Sequence, residues 1–148
     1  MRLAFLLPLS ALVATVAVAC RPLVCTEMGC VGSLTLVVTQ SFGAPVPYVE
    51  GEVTVGDVTH VVNCGPDGGS TADIHCGEGQ ISLPPGEDGD VVTWTLRGWD
   101  EESVGADPAP YDGEGEVTPE WSEFSPNGEA CGPTCRGAEV AIALETLD

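Results

Sequence analysis

His60, Cys64, His75 and Cys76 are the residues whose types come closest to a metal site. Two imidazoles and two thiolates are a tetrahedral zinc set. The spacing argues against it: His60 and Cys64, four apart on a strand, share a face but lie about 13 Å from each other. Outside the cytoplasm, cysteines flanking a turn-rich loop pair with one another, so the expectation is a Cys64–Cys76 disulfide and no metal. Three acidic runs offer a different chemistry: Glu87-Asp88-Gly89-Asp90, Asp100-Glu101-Glu102 and Asp112-Gly113-Glu114-Gly115-Glu116. Calcium takes carboxylate oxygens from flexible loops, so these runs could bind calcium or another cationic ligand. None has the EF-hand or nonapeptide spacing, and a solvated acidic face is the plainer reading.

Covalent catalysis finds little footing. Gly68-Gly69-Ser70-Thr71-Ala72 echoes a nucleophile elbow, but that turn leads into a helix, whereas Asp73-Ile74-His75-Cys76 reads as strand. Cys131-Gly132-Pro133-Thr134-Cys135 has three residues between its cysteines, where a thioredoxin-like redox motif has two, so a structural staple is expected. We expect no enzyme, no catalytic residue and no cofactor. Trp99, Tyr111, Trp121 and Phe124 lie in or beside the acidic stretch and could line a glycan or peptide groove, or else cap the edge of a sandwich.

The elements that position these residues begin after an export signal. Met1-Arg2 precedes the apolar run Leu3–Ala19, which ends in Ala17-Val18-Ala19 before Cys20. This is a short basic region, an apolar region and small residues before a cut. The same residues read as a lipobox with Cys20 as the lipidation site, although Ala17 stands where Leu is usual. Cleavage to a soluble protein and a retained helix are the alternatives. With Cys20 lipidated, Cys25, Cys30, Cys64, Cys76, Cys131 and Cys135 remain, an even set suited to disulfides in an oxidising compartment. Residues 1–19 are therefore expected as signal peptide, 20–32 as lipid-anchor cysteine and short tether, and 33–148 as one folded domain. The expected membrane contact is the lipid on Cys20.

The 148-residue chain carries 23 acidic and four basic side chains, a net charge of −19. Without clustered Lys or Arg, nucleic acid is excluded as a partner. Nineteen Gly and 12 Pro break the chain into short runs that suit strands better than helices. Ser33–Gln40 alternates with period two. Glu52–Val55, Gly56-Asp57 and Val58–Val62 form a hairpin pattern. Ala72–Cys76, Gln80–Leu83 and Asp90–Leu96 are further strands, the last presenting Val92, Trp94 and Leu96 on one face. Ala138–Leu147 has helix-forming composition but alternates Val140, Ile142 and Leu144, and is read as strand. Thirteen carboxylates fall in Glu87–Glu129, much of which is expected to be exposed connection. The predicted fold is all-β: a disulfide-stapled antiparallel β-sandwich of six to eight short strands.

Glu27-Met28-Gly29-Cys30-Val31-Gly32-Ser33-Leu34-Thr35-Leu36-Val37-Val38-Thr39 resembles the start of small Cys-rich lipoproteins of Gram-negative bacteria. Ser125-Pro126-Asn127-Gly128-Glu129-Ala130-Cys131-Gly132-Pro133-Thr134-Cys135, followed by an alternating strand, is similar to their C-terminal part. The resemblance spans most of the mature chain. It implies an exported, outer-membrane-associated β-sandwich similar to transthyretin-like or carboxypeptidase-regulatory modules, which are accessory domains. It carries no functional residues. Arg21 after Cys20, rather than Asp, is also what outer-membrane sorting would imply.

Overall fold

The structure, a computed structural model, describes residues 32–66, 69–126, 128 and 134–147. Among these, nine strands and no helix are formed: β1 (Ser33–Gln40), β2 (Tyr48–Val55), β3 (Val58–Cys64), β4 (His75–Gly77), β5 (Gln80–Leu83), β6 (Val92–Trp99), β7 (Tyr111–Val117), β8 (Ser122–Phe124) and β9 (Cys135–Thr146).

Alternation accounts for most of them. In β1, Leu34, Leu36 and Val38 are buried while Thr35, Val37 and Thr39 are partly open. The β2–β3 hairpin turns at Gly56 with φ +57°, and Asp57 keeps a negative φ. That combination is a type II′ turn, which matches the twist of the strands it joins. In β9, burial of Val140, Ile142 and Leu144 outweighs the helical preference of the intervening Ala and Glu residues.

The strands pair in the order β3-β2-β6-β7-β9-β1-β5-β4, with β8 added to β9. One long strand serves both halves of this path. Gly137 to Leu144 of β9 run beside β1, and Glu145 and Thr146 then pair with Asp112 and Tyr111 of β7. The sheet curls until it is nearly closed into a barrel, leaving β3 and β4 as the two free edges. Cys64, the last residue of β3, forms a disulfide with Cys76 in the middle of β4, their Cα atoms 5.5 Å apart. The expected pair is formed, and it bridges the seam between the two edges.

Two expectations are corrected. The sheet is mixed, because β1 and β9 run parallel over eight residue pairs. Parallel neighbours need a long crossover, and here the whole of β2–β8 supplies it; alternation within a strand carries no information about its direction. Besides the expected β6, the Glu87–Glu129 stretch contains two further strands, β7 and β8, which raises the number to nine among the described residues.

Leu34, Leu36, Val38, Ile81, Leu83, Ile142 and Leu144 from one half of the path pack against Val49, Val53, Val62, Val92 and Leu96 from the other. Each is at most 2% exposed, a burial that stabilises by about 1.5–3 kcal/mol per side chain relative to exposure. Trp94 packs on this core while remaining partly buried. Among the described residues no polar or charged side chain is buried. The charge of the described residues is therefore carried on the outside.

Candidate functional site

The register of the half made by β3, β2, β6 and β7 sets its outer face. One row crosses the strands as Asn63, Glu50, Arg97 and Asp112, with Glu145 of β9 beyond. The next row reads Val61, Glu52, Thr95 and Glu114, and a third Thr59, Thr54, Thr93 and Glu116. Six carboxylates and a single cation, Arg97, thus share one face. Arg97 lies directly across from Glu50, and its guanidinium makes a 2.9 Å ion pair with that carboxylate.

Beyond Trp99 the chain forms a loop that folds back over the first row. Trp99 Nε1–H donates to Ala106 O at 2.9 Å, and the Arg97 guanidinium stands 5.5 Å from the Trp99 ring centroid. Asp100 is the hub of the loop. Its Oδ1 accepts from the Ser103 backbone N–H (2.8 Å) and hydroxyl (2.6 Å), and its Oδ2 accepts from the Tyr111 hydroxyl at 2.9 Å. The Ser103 hydroxyl, then the Tyr111 hydroxyl, hold the Asp100 carboxyl below the usual carboxylate range. The same bond to Asp100, with burial second, pushes the Tyr111 phenol above its ordinary value.

Between loop and sheet lies a cleft of about 400 Å³ lined by Glu50, Asn63, Arg97, Trp99, Val104 and Ala106, among others. Its volume falls in the range of small-ligand sites. An indole wall, a guanidinium, an amide and a carboxylate converge there. Such groups recognise a ligand through stacking and hydrogen bonds, and the anchored loop keeps them in place.

The four aromatics expected to share a groove are separated. Trp99 and Tyr111 serve this cleft, whereas Trp121 and Phe124 lie towards the other end of β6, near Gly86 and Gly137 respectively. There the Arg136 guanidinium stacks over the Trp121 ring at 4.9 Å and pairs with Asp88. Phe124 is 48% exposed on β8. Trp121 Nε1–H is buried without a hydrogen-bond partner.

The acidic runs are not three equivalent ligand loops. Asp90 Oδ2 accepts the Glu87 N–H at 2.7 Å within its own turn, Asp88 pairs with Arg136, and Asp100 is committed to Ser103 and Tyr111. Asp112, Glu114 and Glu116, expected on a loop, are exposed positions of β7. Among the described residues no three His, Cys, Asp or Glu side chains form a group that could hold a metal ion. His60 and His75 flank no free thiol, because Cys64 and Cys76 are bonded to each other. His60 instead lines a second cleft of about 540 Å³ at the seam, with Asp57, Val58, Asp73, Pro84 and Asp90. Ser70 of the elbow-like segment accepts the Cys76 N–H at 3.0 Å and is followed by β4 rather than a helix.

Cys135 is buried and disulfide-bonded. The signal segment 1–19, Cys20, Cys25, Cys30 and Cys131 lie outside the described residues. Glu50, Asn63 and Ser103 were not singled out in the sequence, because only the strand register and the loop path bring them to Arg97 and Asp100. No family model, curated protein or solved structure matches this chain.

Proposed function

We propose that this chain is a non-enzymatic, lipid-anchored protein of the cell envelope, exported and held at the outer membrane through Cys20, and that its β-domain is a surface interaction module. The two halves that share β9 are read as the layers of a β-sandwich, as the resemblance to small Cys-rich lipoproteins implies.

The observation that carries the interaction reading is the fixed cleft at Arg97 and Trp99, set into a face of six carboxylates. The lipobox-like Ala17-Val18-Ala19-Cys20 supports the anchor. The Cys64–Cys76 disulfide and the bonded Cys135 fit an oxidising compartment. Of the cationic-ligand alternative, the calcium half has no ligand group among the described residues. The acidic face continues to favour a ligand that carries positive charge.

Membrane fractionation of wild type against Cys20→Ser tests the anchor. The wild type should pellet with membranes, with a lipid-sized mass added to a chain that starts at Cys20, and the variant should be released. A variant that stays in the pellet would remove the lipoprotein reading.

A further inference from the structure

We infer that the free edge of β3 is a docking site for an extended peptide that alternates basic and small apolar residues and adds to the sheet as a further strand. The inference deepens the interaction reading above and is independent of the lipid anchor.

Hairpin geometry supplies the first part. In an antiparallel pair closed by a two-residue turn, the residues flanking the turn exchange both backbone hydrogen bonds, and every second pair does so thereafter. Here Val55↔Val58 flanks the turn, so Val53↔His60, Gly51↔Val62 and Val49↔Cys64 are the bonded pairs. Thr54↔Thr59, Glu52↔Val61 and Glu50↔Asn63 are the non-bonded pairs. The 2.9 Å contact between the Thr54 and Thr59 hydroxyls agrees, since side chains approach most closely at such pairs. The N–H and C=O groups of Thr59, Val61 and Asn63 therefore point away from β2 into the seam, where no described strand pairs with β3.

Sheet edges are usually blunted by Lys, Pro, a bulge or brevity. β3 has none of these: it is seven residues long, with Val58 58% and Val61 69% exposed. The other edge, β4, has three residues. The disulfide holds the seam narrow at Cys64, and towards Val58 it opens into the 540 Å³ cleft, leaving room beside β3.

Charge selects the occupant. Asp57, Asp73, Glu87 and Asp90 line the cleft, and Glu50 and Glu52 lie on the neighbouring strand. A strand laid against Thr59–Asn63 would turn one set of side chains to the outer face that carries Glu50 and Glu52, where basic residues fit. The alternate set would turn into the cleft beside Val58 and Pro84, where small apolar residues fit and the cleft carboxylates add to the attraction. A second copy of the chain, itself at −19, would instead bring like charges together across the same edge.

The test titrates the intact protein at low salt with the N-acetylated, amidated hexapeptide Val-Lys-Val-Lys-Val-Lys. An isomer N-methylated on the amides that would face β3 serves as the comparison. The expected result is saturable binding of the first peptide and at least tenfold weaker binding of the second. Amide exchange at Thr59, Val61 and Asn63 should also slow at least tenfold. Val61→Pro, whose lost N–H faces the seam rather than β2, should weaken binding at least tenfold, and Val61→Thr should preserve it. Equal binding of the N-methylated peptide would overturn the inference in favour of attraction to the acidic face alone. Absence of binding at millimolar peptide would overturn it too. So would a protein that is already a dimer with those three amides protected, since the edge would then serve a second copy. None of these results depends on where the Cys20→Ser variant fractionates.

Discussion

Replacing Cys64 and Cys76 together by alanine unties the seam, and the cost can be worked from the loop they close. Their separation is 12 residues, and residues 65–75 contain no other cysteine. No further cross-link shortens that loop in the unfolded chain, whatever the pairing elsewhere. Loop-closure entropy then gives about 2.8 kcal/mol at 25 °C. For a domain of this size about 4 °C is lost per kcal/mol, so the melting temperature should fall by about 11 °C. The assay is a non-reducing thermal melt of wild type and double variant, read with amide exchange. Exchange should accelerate first in β3 and β4, the two edges the bond joins, and last in β1 and β9, which have neighbours on both sides. A loss below about 1 kcal/mol would refute the loop-entropy reasoning. Acceleration spread evenly over the sheet would refute the seam as its site of action.

Other perturbations test the site and the core. Asp100→Asn should lower the urea midpoint at neutral pH. Because the folded carboxyl lies below its ordinary 3.8, the wild-type advantage is full above that value and should vanish as pH falls through the folded one. Tyr111 runs the other way: its contribution is present below its ordinary value of 10 and is lost as pH rises through the higher folded one, which phenolate absorbance follows. Gly115→Ala would place a Cβ 2.5 Å from Trp94 Cζ2, and denaturant unfolding should show a loss of about 1–3 kcal/mol, with a shift in tryptophan emission. Arg97→Ala removes a guanidinium whose side chain is 60% exposed. Its stability cost in urea should stay below about 1 kcal/mol, so a large loss would place Arg97 in the scaffold rather than in the cleft.

Much of the fold is legible wherever apolar residues alternate. β1 and β5 occupy the expected residues, the β2–β3 hairpin extends the expected runs by a few positions, and β6 begins two residues later than expected and ends three later. β7 escaped because the two inward positions between Tyr111 and Val117 are Gly113 and Gly115, where Leu144 and Trp94 fill the space a side chain would take. Its period of two is nonetheless written in the carboxylates of Asp112, Glu114 and Glu116. β8 is too short, at three exposed residues, to carry a pattern. The parallel run of β1 and β9 was illegible because it depends on how the whole sheet closes. The cleft was legible only as isolated parts. Trp99, Tyr111 and the acidic run at Asp100 could be named, but Arg97 and Glu50 meet across 47 residues of chain, a distance only the register spans.

The pairing of β1 with β9 also determines when this molecule can fold. Thr39 and Ser41 at the end of the first strand hydrogen-bond to Ile142 and Leu144, 103 residues later. Until that last strand is present, β1 has only β5 beside it, and β7 lacks its second neighbour. A chain emerging N-terminus first must therefore wait, with Leu34, Leu36 and Val38 not yet enclosed, until the residues of β9 have arrived. Contacts this distant in sequence make folding slow. Delivery of the chain and its folding become successive events, and a truncation that removes Val140, Ile142 and Leu144 takes away the strand that joins the two halves.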